Sequence, residues 1–216
     1  MDHSLSRNNI LLKISTALKD STPMPFPAAD LSESVFKLEH ESLETLFERK
    51  FTGLLGKFFL LDNAEELKEK YRSLILENEW THVCSNESFL NQLLGDPSSP
   101  FVSSGTLYDT DAAITDCAHL IAQTGTIVLR SDQSSGRALP VYAPVHIVIA
   151  FSHQLVFDLE ECIEKVMISG KELPSSLVFA SGPSRTGDIE KTLVVGVHGP
   201  KEVYVLMLKC DSESIN

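Results

Sequence analysis

Residues 57–85 read KFFLLDNAEELKEKYRSLILENEWTHVCS, and this stretch decides the fold. KFFLL (57–61) is a short apolar run of the length a buried strand takes. Asp62 or Asn63 can then cap a helix in which Leu67, Tyr71, Leu74 and Ile75 fall at i, i+4, i+7 and i+8, on one face. Glu65 and Glu66 come early and Lys68, Lys70 and Arg72 later, an order that suits the helix dipole. THVCS (81–85) is a second short strand. Strand, helix, strand at this spacing is a β-α-β unit and predicts a parallel sheet.

The same alternation extends in both directions. Before it, Glu41 to Thr52 reads as a helix. After it, Glu87 to Leu94 is a short helix closed by Gly95, Asp96 and Pro97. AAIT (112–115), TIVLR (126–130), HIVIA (146–150), LVFAS (177–181) and VYVLML (203–208) are further strands, and their Val and Ile content suits central strands buried on both faces. Leu159 to Met167 is the clearest late helix, ended by Ser169 and Gly170. The expected fold class is α/β, a mostly parallel sheet flanked by helices.

The amino-terminal segment has a different character. Ile10, Leu11, Ile14, Ala17 and Leu18 make one stripe of an amphipathic helix over approximately residues 5 to 19. In the following STPMPFPAAD, Pro23, Pro25 and Pro27 favour extended backbone. The expected division is a helix and Pro-rich linker over 1–30 and an α/β domain over 31–216. The helix must bury its stripe, either on its own domain or on another chain, and the two readings stay open.

Composition narrows the partners. The 216 residues are 43% hydrophobic and 22% charged, ordinary globular values. Eighteen Lys and Arg against thirty Asp and Glu give a net charge of −12, divided equally before and after residue 100. Such a surface repels phosphate backbones and anionic lipid, so neither nucleic acid nor a membrane surface is an expected partner. No run approaches the roughly 20 apolar residues of a membrane span. The amino terminus lacks the apolar core of a secretion signal. Cys84, Cys117, Cys162 and Cys210 are far apart, with no C-x-x-C, which favours a reducing cytoplasm and disfavours a metal site; His82 with Cys84 and Cys117 with His119 are poor knuckles.

Three segments carry more chemistry than a connector needs, each beside an apolar strand, where α/β sheets place ligands. In IAQTGTIVLR a helix-like AHLIA runs into Gln123, Thr124, Gly125 and Thr126, whose hydroxyls and amides can meet a ligand or simply end a helix. In LPVYAPVHIVIA, Pro140 and Pro144 bracket the approach to a strand that starts at His146, a residue for a cleft or for a core hydrogen bond. The third, SGPSRTGDIE followed by VHGP, is the richest. Ser181, Gly182, Ser184 and Thr186 supply donors, Arg185 a permanent planar cation, Asp188 the start of a helical turn, and His198 a neighbouring ring. Pairing of Arg185 with Asp188 or Glu190 is the plain structural alternative. Phosphate-loop, dinucleotide, zinc-protease and esterase motifs are all missing.

IAQTGTIVL, LPVYAPVHIVI and above all SGPSRTGDIEKTLVVGVHGP resemble the LUD domain family, in its lactate-utilisation protein C branch, over approximately residues 40 to 209. The RNNILLKISTAL helix is similar to the family's usual leader. The resemblance implies a fold like that of ribose-5-phosphate isomerase, CoA transferases and formyltetrahydrofolate cyclo-ligase. It also implies a part in oxidising L-lactate to pyruvate beside two partner proteins, at least one of which carries iron-sulfur clusters. Four scattered cysteines cannot supply a cluster's ligand run, so no cofactor is expected in this chain and the clusters are expected on the iron-sulfur partners. A small anionic metabolite is the expected ligand, and self-oligomerisation stays open.

Two positions depart from the family. Gln123 stands where Glu is common; in related CoA transferases a carboxylate at a comparable place is the nucleophile, a role no amide can take. Gly187 stands where Ala is usual. No catalytic residue is therefore assigned. A stand-alone enzyme or binding protein for a phosphorylated or carboxylated metabolite is the alternative to a component of a lactate-oxidising assembly.

Overall fold

The structure, a computed structural model, describes residues 3–19, 41–95, 101–102, 109–168, 173–187 and 194–209. The chain divides into two compact units, Met1–Glu39 and His40–Asn216. In the first, helix α1 covers His3–Ala17, where the apolar stripe predicts it. The Pro-rich stretch lies outside the described residues.

In the second unit a six-stranded sheet has the order β1-β12-β7-β4-β2-β3, with every pair parallel. Its strands are β1 (Lys57–Leu61), β2 (Val83–Cys84), β3 (Phe101–Val102), β4 (Ala112–Thr115), β7 (Val145–Phe151) and β12 (Glu202–Leu208). The β-α-β unit of residues 57–85 forms, with helix α3 (Ala64–Glu77) between β1 and β2. The two strands are not neighbours, since β12, β7 and β4 lie between them. Asn63, rather than Asp62, caps α3: its Oδ1 accepts from the Glu66 amide at 2.9 Å, and a Glu66 carboxylate oxygen accepts from the Asp62 amide at 2.9 Å.

Side chains alternate across the parallel sheet as the pleat requires. On one face Ile147, Ile149, Tyr204, Leu206 and Leu61 meet Leu67, Tyr71 and Leu74 of α3 and Leu90 and Leu94 of α4 (Ser88–Leu94). On the other, Val148, Ala150, Val203, Val205 and Met207 meet Leu46, Phe47 and Phe51 of α2 (Leu43–Gly53) and the inner residues of a second sheet. This second sheet has the order β8-β5-β6-β9, comprising β5 (His119–Ile121), β6 (Thr126–Arg130), β8 (Leu155–Val156) and β9 (Leu177–Ala180). Its Leu120, Ile127, Leu129 and Leu155 face inward; Ile121, Val128 and Val156 face outward onto Cys162 and Val166 of α6 (Leu159–Ile168). The layers thus run helix, parallel sheet, second sheet, helix.

Two expectations need correction. AHLIA is not a helix: His119–Ile121 is strand β5, antiparallel to β6 with Leu120 opposite Ile127. Four apolar residues fit a strand or a helix turn equally, and here each face of the strand finds its own core. TIVLR and LVFAS are strands, but they belong to the second sheet, and β9 is its edge, with Val178 and Phe179 exposed rather than buried on both faces. The end of α6 at Ser169 and Gly170 lies outside the described residues.

Candidate functional site

After β9 the chain runs through Ser181–Ser184 into β10 (Arg185–Thr186), which pairs antiparallel with β11 (Val194–Val195). The turn that follows β11 leads into β12. Backbone bonds join these pieces: the Ser184 amide donates to the Pro200 carbonyl at 2.9 Å, the Gly196 amide to the Ser184 carbonyl at 2.8 Å, and the Lys201 amide to the Pro144 carbonyl at 2.7 Å. Gly182 is left-handed, φ +79°, and a Cβ there would fall on the Leu54 carbonyl oxygen just past α2. The loop is pinned because only glycine lets it approach so closely.

These joins bring six of the expected residues around one cleft of about 330 Å³: Ser181, Gly182, Ser184, Arg185, His146 and His198. Leu129, Val178 and Val203 supply apolar wall, with Pro140 and Val141 from α5 (Leu139–Tyr142). Arg185 and His198 are exposed at its mouth, and His146 lies deep, 2% exposed. The cleft is at the amino ends of β7 and β12, where His146 and Val203 are register partners. This is the opposite end from the one at which doubly wound sheets place ligands. The second sheet and the β10–β11 hairpin build the walls here, so the general rule for open sheets does not govern.

His146 is held by one hydrogen bond, 2.8 Å between its Nε2 and Thr115 Oγ1, and Thr115 Oγ1 donates to the Asp116 carbonyl oxygen at 2.8 Å. Burial alone pushes the imidazole down to about 4, so the ring is neutral at physiological pH.

The remaining expected residues sit elsewhere. Gln123 is half-buried with its amide donating to the Phe157 carbonyl at 2.9 Å, and Thr124 is exposed. Gly125 takes φ +61° in the β5–β6 turn, and its Cβ position lies 2.5 Å from the Phe51 backbone nitrogen, so this glycine serves the approach of α2. None of the three lines the cleft. Thr126 reaches it indirectly: its hydroxyl bonds Ser181 Oγ at 2.7 Å and Thr124 Oγ1 at 2.8 Å. Thr186 pairs with Val194 in the hairpin. Asp188 lies outside the described residues, as does Glu190. Among the described residues Arg185 forms no ion pair.

Sequence reasoning missed a second group, at the carboxyl ends of β2 and β4. Glu87 is buried there; its carboxylate accepts from the Ser135 amide at 2.9 Å and from the Ser135 hydroxyl. Asp116 accepts from Gln133 Nε2 at 2.5 Å and is hydrogen-bonded to Glu87. Burial, followed by the Glu87 charge, raises the Asp116 carboxyl to about 7. Both residues border a hollow of about 380 Å³ with Cys117, His119 and Arg130. Burial pushes the Cys117 thiol up and the His119 ring down, and Arg130 is engaged by Asp132 at 2.7 and 2.9 Å. The only sequence signal was indirect: Glu87 and Asp116 each follow a short strand, and the pair is visible once those strands are known to be neighbours.

Among the described residues no three His, Cys, Asp or Glu side chains converge to hold a metal, and Cys84, Cys117 and Cys162 are buried in the core outside any disulfide. These residues do not fit an iron-sulfur cluster. No helix among the described residues is long and apolar enough to cross a membrane.

Comparison with known proteins bears on the same region. The LUD domain profile matches residues 105–208, which include both strands bearing His146 and Val203 and the Ser181–Pro200 segment. Lactate utilization protein C of Deinococcus radiodurans is 40% identical over 111 residues, 50% of this chain and 51% of that protein. Lactate utilization protein C of Halalkalibacterium halodurans is 39% identical over 101 residues, 45% of this chain and 44% of that protein. The chain thus spans about half the length of these curated relatives. A crystal structure of a DUF162 family protein from Deinococcus radiodurans matches with a TM-score of 0.60 at 22% identity, over 77% of this chain and 96% of that one, a likeness of fold. With the profile match over residues 105–208, these relatives and its mostly parallel α/β architecture, the chain is similar to the LUD domain family, in its lactate utilization protein C branch.

Proposed function

We propose that this protein takes part in lactate utilisation as the cluster-free component of an iron-sulfur-dependent system that oxidises L-lactate to pyruvate, and that its cleft holds a small anionic metabolite. The observation that carries the reading is the convergence of Ser181, Ser184, Arg185 and His198 on one cleft whose deep end is His146. A guanidinium at the mouth attracts a carboxylate, the hydroxyls can orient it, and the apolar wall excludes water around the rest of a small ligand. The relatives' names, lactate utilization protein C, support the metabolic setting. Clusters that accept electrons from lactate oxidation would belong to partner proteins, in keeping with the burial of Cys84, Cys117 and Cys162 among the described residues. The residues of this chain bind and orient.

Two measurements test the proposal. Calorimetry with L-lactate should show saturable binding that Arg185→Ala weakens about tenfold or more, the worth of one charge-assisted hydrogen bond. A pull-down from native extract should recover a cluster-bearing protein, visible by its iron and its absorbance. Turnover by the isolated chain, or recovery of this chain alone, would favour the stand-alone alternative.

A further inference from the structure

We propose that the cleft selects a hydroxy acid over its keto twin: the ligand's carboxylate meets the Arg185 end, and a neighbouring hydroxyl donates its hydrogen to Nδ1 of His146. The inference rests on the cleft being an anion site, and adds which member of an alcohol and ketone pair it holds.

The argument is one of hydrogen counting. Thr115 has a single hydroxyl hydrogen, and it goes to the carbonyl oxygen of Asp116, which can only accept. Toward His146 the Thr115 oxygen is therefore the acceptor, so the proton of the imidazole must sit on Nε2. Burial keeps the ring neutral, so Nδ1 carries a lone pair and no hydrogen. Among the described residues no group donates to Nδ1. The ring is 2% exposed and lines the cleft, so the cleft is the side from which a ligand donor can reach Nδ1.

An unpartnered acceptor at the bottom of a largely apolar pocket discriminates strongly. Leu129, Pro140 and Val203 around it offer no donor side chain. A ligand hydroxyl satisfies Nδ1. A keto oxygen in the same place sets lone pair against lone pair, and an unsubstituted carbon leaves the nitrogen desolvated and unpaired. The strand pairing makes the arrangement rigid: His146 lies opposite Ala113 of β4, two residues before Thr115 on the same face. Thus β4 fixes the tautomer of a ring carried by β7.

The test is calorimetry of the full chain near pH 7.5 with L-lactate, pyruvate and propionate, together with nitrogen-detected NMR of the His146 ring in the free protein. The Nε2–H tautomer is expected, with lactate binding about tenfold tighter than either analogue. His146→Phe should bring lactate to the level of pyruvate, and Thr115→Val, which frees the tautomer, should shrink the ratio. Arg185→Ala should weaken all three ligands by the same factor. An Nδ1–H tautomer, equal binding of lactate and pyruvate, or a preference that survives His146→Phe would each overturn the proposal. Binding of none of the three carboxylates, with the Nε2–H tautomer present, would instead overturn the anion reading on which it rests.

Discussion

Gly182 shapes the cleft by lacking a side chain. Its φ of +79° is costly for any L-residue, and a Cβ would collide with the Leu54 carbonyl oxygen, which is backbone and cannot swing away. Gly182→Ala is expected to destabilise the protein by about 2 kcal/mol. It should also weaken ligand binding, because the loop carrying Ser181 and Ser184 has to lift. Thermal melting with and without lactate checks both effects together. A lowered melting temperature with unchanged affinity would mean that the loop does not form the binding wall. Thr126→Val probes the same wall more gently: it removes the hydroxyl that orients Ser181 at 2.7 Å, and a small loss of affinity is expected without a comparable loss of stability. At this scale the sequence was partly legible. A run of Ser, Gly, Ser and Arg followed by a His-Gly turn pointed to side chains that the fold gathers at one cleft, but nothing near His146 in the chain announced Thr115, its partner 31 residues away.

A clear period fixed helix α3, whereas AHLIA, which has none, was read as a helix and is a strand. Helix α3 has four buried residues on one face and a cap at Asn63, so both its face and its start followed from spacing. Asn63→Ala is expected to cost about 1 kcal/mol in urea unfolding, since the Glu66 amide would lose its acceptor at 2.9 Å. β5 failed the same test because an apolar run of three or four residues shows no period. β10 and β11 are two residues each, below anything that alternation can mark. The second sheet was hidden for a different reason. Strands β6 and β7 are both apolar on two faces, so composition cannot say which of two stacked sheets owns them. The distinction lies in pairing: β6 meets β5 and β9 antiparallel, while β7 meets β12 and β4 parallel. The site inherits this limit, since its cleft exists only where the two sheets part at the start of β7 and β12.

At the scale of the whole molecule, two buried titratable groups pull stability in opposite directions with pH. His146 ionises near 6.5 in the unfolded chain but only near 4 in the fold. Between those values the unfolded state binds a proton that the native state refuses, so stability falls as pH drops through the window and is fully present above 6.5. For so deeply buried a ring the effect amounts to about 3 kcal/mol. Asp116 runs the other way. Its carboxyl is raised from 3.8 to about 7, so the fold keeps a proton the unfolded chain has released, and its contribution is complete below 3.8 and lost as pH rises through 7. His119, lowered by burial, adds to the His146 sense, whereas Asp111, Glu161 and Glu202 are lowered carboxylates that act only in more acid solution. The melting temperature of the natural sequence should therefore change little from pH 4.5 to 6.5, where the two slopes oppose, and decline slightly to a little above pH 7, levelling once Asp116 has given up its proton beside Glu87. Asp116→Asn should remove that decline and expose the His146 term as a melting temperature that climbs from pH 4.5 to 6.5. His146→Phe should do the reverse, giving a curve that falls from pH 4.5 to about 7 and then levels. Calorimetric melting of the three proteins at half-unit steps separates these outcomes. Parallel curves for all three would mean that neither group titrates differently in the fold, and the neutral ring required at the bottom of the cleft would lose its physical basis.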